Sequence, residues 1–201
     1  MTPVLEGRLV RLEPLTLGHL ERLEAVAYDD RLWRYMTTWV KTREHLRAWV
    51  NSALQGAVAG TTLPWVTVLK DGERVVGSTR FADWDKVHGV VELGYTWLLP
   101  AVQGTGVNAE VKLLQLTHGF EVLGLNRVGF KTHHENLQSQ AALQKLGAVE
   151  EGTFRNHYVM PDGSARHSVW FSIIREEWPG VKVGLELRVG RKCHQAAFAK
   201  D

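Results

Sequence analysis

Two glycines stand directly before an amphipathic stretch in Gln103-Gly104-Thr105-Gly106-Val107-Asn108, and that spacing suits a phosphate. A loop that opens straight into a helix leaves several backbone N–H groups pointing one way, at the positive end of the helix dipole. Glycine lets an anion approach the backbone closely and permits a positive φ. An ordinary strand-to-helix turn would use the same residues. No Lys-Ser or Lys-Thr pair follows, and Gly-x-Gly-x-x-Gly is absent, which disfavours a nucleotide-triphosphatase loop and a dinucleotide fingerprint. Glu92 is a second chemical group, a carboxylate inside the mostly apolar run Val90 to Trp97. It either accepts protons or pairs with Arg80. His133, His134 and His157 raise the question of a metal. Adjacent histidines on a strand point to opposite faces, so at most two ligands meet without a carboxylate, and no metal is expected.

These groups need elements to hold them. Val90, Val91, Leu93, Tyr95 and Trp97 read as a buried strand that Pro100 ends. From Val107 a helix follows, with Val107, Val111, Leu114 and His118 on one stripe, widened by Leu113, Leu116 and Phe120. Asn108, Glu110, Lys112 and Gln115 fall on its wetter side. Upstream, Arg8 to Leu12 reads as a strand, Thr16 to Ala27 as a helix, and Thr42 caps a helix that Gly60 stops. Leu63 to Leu69 and Arg74 to Trp84 read as strands joined at Asp71-Gly72. Trp33 and Tyr35, in a ring-rich stretch between helices, either line a pocket or fill core. Downstream come a strand at Arg127 to Thr132, a helix at Leu137 to Leu146 closed by Gly147, and a hairpin about Pro161-Asp162-Gly163. The order predicts a mixed α/β (α+β) fold, with a mixed, mostly antiparallel sheet and helices on both faces. Residues 1–177 form the domain, and 178–201, lacking sustained periodicity, a covering segment and loose tail.

At 201 residues and 44% hydrophobic, the chain supports one sizeable core. A net charge of +2 with interspersed signs lacks the basic stripe of a nucleic-acid binder. Cys193 is the only cysteine, which excludes an internal disulfide or a cysteine-cluster metal site. Without a signal-like N-terminus or a run of about 18 apolar residues, a cytoplasmic protein with no membrane partner is expected. A homodimer stays open.

Gln103-x-x-Gly106-x-Asn108 resembles the acetyl-CoA loop of the GNAT superfamily of N-acetyltransferases, and GYTWLLPAVQGTGVNAEVKLL is similar to its RimJ/RimL group. Asn108 departs from the small residue usual there. The resemblance covers roughly Glu6 to Glu177 and implies acetyl transfer from acetyl-CoA to a primary amine, most readily a protein N-terminal α-amino group. Small amines such as amino acids or antibiotics, and a non-catalytic CoA-binding module, remain alternatives. It implies that a splayed strand pair receives the pantetheine arm, with backbone partners at Leu98 and Leu99. Gln103, Gly104, Thr105, Gly106, Val107 and Asn108 would hold the pyrophosphate. Asn136 would bond the pantetheine arm or simply cap its helix. Glu92, 11 residues before Gln103, matches the base spacing of histone-type members. The usual general-acid tyrosine position holds Leu143, which brings forward Ser139. Arg155, His157 and Tyr158 would border the acceptor site with Trp33 and Tyr35.

Overall fold

The computed structural model describes residues 1–198, and side chains through residue 190. Eight strands form one sheet: β1 (Leu5–Glu6), β2 (Val10–Pro14), β3 (Leu63–Leu69), β4 (Arg74–Asp85), β5 (Val90–Leu98), β6 (Arg127–His133), β7 (Val149–Val159) and β8 (Ala165–Ile174). Their spatial order is β1-β2-β3-β4-β5-β6-β8-β7. Every neighbouring pair is antiparallel except β5 and β6. The helices are α1 (Leu20–Ala27), α2 (Asp30–Trp33), α3 (Arg43–Val58), α4 (Val107–Thr117), α5 (Leu137–Leu146) and α6 (Trp178–Phe198). Among the described residues no helix is long and apolar enough to cross a membrane.

The two sheet faces carry separate apolar clusters, as period-2 side-chain alternation requires. On one face Val91, Leu93, Val128, Phe130, Phe171 and Ile173 pack with α4, α5 and α6. On the other, Val66, Val68, Val75 and Trp97 meet α1, α2 and α3. Strand β3 lies under both and is buried from Leu63 to Val68.

The pairing of β5 with β6 is short. Val90, Val91 and Glu92 stand opposite Arg127, Val128 and Gly129, and beyond that rung the strands continue without pairing. A bulge in β5 accounts for the divergence. Ser78 pairs with Trp97 and Arg80 with Gly94, so β5 uses one residue more than β4 across this interval. A bulge of this kind bends its strand. Tyr95, within it, takes φ +52°, a conformation costly for a side-chain-bearing residue.

Helix α4 is fastened at both ends of its buried face, which reverses one expectation from periodicity. Glu110, Lys112 and Gln115 are buried at 3%, 8% and 0% exposure. The Glu110 carboxylate accepts from the N–H groups of Arg8, Leu9 and Val10 at 2.8, 2.7 and 2.8 Å. Lys112 Nζ donates to Thr96 Oγ1 at 3.2 Å. Thr96 and Thr79 hydroxyls share a 2.8 Å bond, and Thr79 donates to Gln115 Oε1 at 3.3 Å. The network beneath the β5 bulge thus offsets part of the cost of burying polar groups that a helical wheel assigns to solvent, and leaves Gln115 Nε2 without a partner among the described residues.

Burial lowers the Lys112 pKa to about 7. A lysine with a folded pKa below its unfolded value near 10.5 binds fewer protons folded than unfolded across that interval, so stability rises with pH from about 7 to 10. Lys112→Met should flatten this rise and add on the order of 2–4 kcal/mol of stability at pH 7. Thermal unfolding of both proteins from pH 6 to 10 checks this; parallel curves would refute it.

The segment from Trp178 also differs from expectation, because it is helical. Trp178, Val181 and Leu185 are buried, Trp178 stacks on Phe120 at 5.4 Å, and its Nε1 donates to Glu121 at 2.8 Å. Burying three such side chains contributes about 1.5–3 kcal/mol each. That outweighs the roughly 1 kcal/mol cost of each glycine in the helix, Gly180, Gly184 and Gly190, which masked the helical spacing. Residues 199–201 of the expected loose tail lie outside the described residues.

Candidate active site

Glu92 lies on the last rung joining β5 to β6, where the two strands part. Directly paired residues share a sheet face, and its neighbours across both pairings are Ala82 on β4 and Gly129 on β6. Gly94 follows two residues along on the same face, and a Cβ there would fall 2.7 Å from Glu92 Oε1. The carboxylate therefore rises from a floor of Ala82, Gly94 and Gly129, residues too small to cover it.

The partner of Glu92 is Lys131 rather than Arg80. Lys131 Nζ lies 2.7 Å from Glu92 Oε2 and donates to the Tyr158 hydroxyl at 2.9 Å. Glu92 is 7% exposed, and burial lifts its carboxyl above the usual carboxylate range, with Lys131 opposing without cancelling. Burial lowers the Lys131 pKa, but Glu92 and Tyr158 lift it to a net rise, so the ammonium persists at neutral pH. The pair supplies a carboxylate of raised basicity with a fixed cation beside it, the arrangement a general base requires.

Around the pair stand residues of several elements. Arg166 on β8 is buried, its Nη1 donates to the Tyr35 carbonyl at 3.1 Å, and its guanidinium lies 5.7 Å from the Tyr158 ring centre. The Tyr35 ring packs 5.3 Å from His133. His157 lies 4.0 Å from the Tyr158 ring, with burial, then Lys131 and Arg166, lowering its pKa. Tyr35, His157 and Tyr158 thus come together near Glu92. Arg155 does not: it is exposed in the irregular stretch where β7 slips against β8 between Phe154 and Tyr158, and forms no ion pair among the described residues. Trp33 is core. It is 2% exposed, packs 5.8 Å from Trp49 and 5.6 Å from Trp97, and donates from Nε1 to the Ala27 carbonyl.

On the other side of the splay, Gly106 is the N-cap of α4 at φ +102° and ψ −15°, with no side-chain cap. The first N–H groups of α4 are left for an incoming anion, and Gly104, at φ +76°, adds a second turn that only glycine adopts readily. Thr105 Oγ1 steadies the loop by donating to the Val102 carbonyl at 2.6 Å. Val107 is buried in the core, and Asn108, the second residue of α4, does not cap the helix. The donor set fits a phosphate.

On the strand between loop and carboxylate the Leu99 N–H is turned toward β4, where it donates to the Val76 carbonyl, while the Leu98 carbonyl accepts from Gln103 Nε2 at 3.2 Å. Gln103 Oε1 accepts from Gln138 Nε2 at 3.2 Å, so this side chain links β5 to α5. An extended ligand that pairs with the Leu98 carbonyl shares that oxygen, or competes for it, with the Gln103 amide. Asn136 caps α5, its Oδ1 accepting from Ser139 N–H at 3.1 Å, while the Ser139 hydroxyl makes no hydrogen bond among the described residues. Leu143 is buried in the core.

His133 and His134 do not face apart. His133 ends β6 and His134 lies in the turn beyond it, so strand alternation no longer applies, and their rings stack at 4.6 Å. Among the described residues no three His, Cys, Asp or Glu side chains are grouped to hold a metal ion.

Sequence reading missed Lys131, Arg166 and Tyr95 as neighbours of Glu92. Once Gly129 is placed opposite Glu92, alternation puts Lys131 on the same face, but that register is a tertiary fact.

Comparison with known proteins places the chain among acetyltransferases. The "Putative ribosomal N-acetyltransferase YdaF" of Bacillus subtilis (strain 168) is 30% identical over 57% of this chain, a match that spans 61% of the relative's length. YoaA of the same organism, an "Uncharacterized N-acetyltransferase", is 26% identical over 87% of this chain and 98% of its own. Among solved structures, a "putative acetyltransferase" from T. thermophilus is 39% identical, covers 94% of this chain and 98% of its own, and superposes with a TM-score of 0.84. Residues 9–149 match the acetyltransferase (GNAT) domain, and with the splayed strands, the glycine-capped α4 and a buried carboxylate between them, the chain belongs to the GNAT acetyltransferase family.

Proposed function

We propose that this protein transfers an acetyl group from acetyl-CoA directly to a primary amine, and that the amine is a protein N-terminal α-amino group. The observation that carries the reaction is the Glu92–Lys131 pair on its side-chain-poor floor at the point where β5 leaves β6. A base there stands at the head of a notch whose far end is the anion-ready start of α4. Support for the protein N-terminus comes from the likeness to YdaF, which is described as a ribosomal N-acetyltransferase.

In this reading Gln103 to Asn108 hold the pyrophosphate, Leu98, Leu99 and Asn136 guide the pantetheine arm, and Tyr35, His157 and Tyr158 border the acceptor. Glu92 takes a proton from the ammonium, directly or through water. The freed nitrogen bonds to the acetyl carbon, the carbon–sulfur bond breaks, the nitrogen sheds its second proton to become the amide, and the leaving thiolate takes one up. Lys131 orients Glu92, and Tyr158 holds Lys131.

Turnover of acetyl-CoA against a panel of peptides with varied N-termini, amino acids and aminoglycosides tests this. Acetylation of small amines alone refutes the protein acceptor; acetyl-CoA binding without turnover of any amine refutes the enzyme. Within the same reading, Ser139, whose hydroxyl lacks any other bond among the described residues, is the group that meets the departing sulfur. Ser139→Ala should lower kcat about ten- to a hundredfold while leaving acetyl-CoA affinity within about threefold. An unaltered kcat, measured where chemistry limits the rate, removes Ser139 from the mechanism.

A further inference from the structure

Arg80 is a buried guanidinium with no acceptor for one of its edges. It lies on β4 opposite Gly94, two residues from the Ala82 that stands opposite Glu92. Arg80 and Glu92 are therefore diagonal neighbours on one sheet face, and Gly94 puts no side chain between them. Arg80 is 5% exposed, and its guanidinium carbon lies 4.5 Å from the Trp49 ring centre and 4.1 Å from that of Tyr95. The rings attract its charge, but neither accepts a hydrogen bond from Nε or Nη2. Nε and Nη2, the two donors that project side by side from one edge, are both buried and have no hydrogen-bond partner among the described residues. Burial without a counter-ion lowers its pKa to about 10, a sign of how poorly the site compensates this charge.

We propose that Arg80 seats a carboxylate of the acceptor, so that the amine acetylated at Glu92 belongs to a molecule with a carboxylate a few atoms from its nitrogen. Two parallel N–H donors match the two oxygens of a carboxylate. The charge balance points the same way, since three cations, Arg80, Lys131 and Arg166, line this face against the buried carboxylate Glu92 and the exposed Asp83. An anionic group offsets that surplus, whereas a polycation meets it with repulsion. The Arg80 edge is shut off from solvent in this structure, so the carboxylate enters by displacing Tyr95, the partly exposed ring at the β5 bulge. The inference rests on the acceptor site of the proposed acetyl transfer. Two sources share the chemistry: a free α-amino acid, and a peptide N-terminus followed by an acidic residue.

Binding separates this from the question of turnover. With CoA present, calorimetric titrations at about pH 6.5, where every amine in the set is protonated, compare alanine with alaninamide, and amidated Ser-Asp-Gly with amidated Ser-Asn-Gly. In at least one pair the carboxylate member should bind the wild-type protein about ten- to a hundredfold more tightly, and Arg80→Gln should cut that ratio below about threefold. The pair that shows the preference identifies the source. Equal affinities within both pairs overturn the proposal from the wild-type protein alone, even should the variant fail to fold. A preference that survives in folded Arg80→Gln overturns the assignment to Arg80. Failure of these amines to be acetylated from acetyl-CoA would count against the proposed reaction, while the binding ratio still decides the carboxylate seat.

Discussion

Gly106→Val should weaken acetyl-CoA binding by about a hundredfold or more, with the fold retained. The loss has two sources. Gly106 sits at φ +102°, where a side-chain-bearing residue stores roughly 1–3 kcal/mol of strain. The uncapped N–H groups of α4 begin at the next residue, and an anion at a helix start gains up to about 2 kcal/mol that displaced donors cannot return. Gly106→Ala separates the two, because alanine carries the φ penalty with little bulk. Strain alone lowers the melting temperature of both variants, more in β-branched valine, and spares affinity in alanine. Obstruction of the approach lowers affinity far more in valine. Calorimetric affinity for acetyl-CoA, measured beside thermal unfolding, decides between them, and unchanged affinity in folded Gly106→Val would falsify the phosphate site.

Much of the frame that holds this loop is legible locally. Strand β3 and helix α5 occupy the intervals read from periodicity, Leu63–Leu69 and Leu137–Leu146, because period and boundary agree there. Gly147, for example, closes α5 at φ +98°. The site is less legible, because its geometry comes from pairing between distant segments. Nothing near Glu92 in sequence names Lys131 as its partner; that follows from Gly129 lying opposite it across the parallel pair. Arg80 is by sequence equally able to pair with Glu92 and instead sits against Trp49 and Tyr95. Lys112 departs from expectation for the opposite reason: its helical period is real, but Thr96 supplies an acceptor beneath the bulge that no helical wheel contains. Trp33 shows how composition alone leaves core and pocket undecided, since only packing against Trp49 and Trp97 assigns it to the core.

Glu92→Gln should reduce kcat/KM at pH 7 by about a hundred- to a thousandfold, with partial recovery as pH rises. The substitution keeps shape and hydrogen-bonding capacity and removes the proton-accepting charge. Recovery follows because α-amino groups shed their own proton near about pH 7.7–8.0, after which the base is no longer needed. In the parent, activity should fall on acidification as Glu92 is protonated, and burial places that fall above the usual carboxylate range. Lys131 works against burial by favouring the ionised form. Lys131→Met should therefore move the acid limb of the pH–rate profile to higher pH, the opposite of what a merely loosened site would do. It also serves as a control, because Glu92→Gln leaves the Lys131 ammonium without its counter-ion and able to repel the incoming ammonium. In the double variant that repulsion is gone, so whatever deficit persists at neutral pH belongs to the missing base. If the profile of Glu92→Gln overlays that of the parent, or the Lys131→Met limb moves to lower pH, the proton leaves by another route and Glu92 is a structural partner of Lys131.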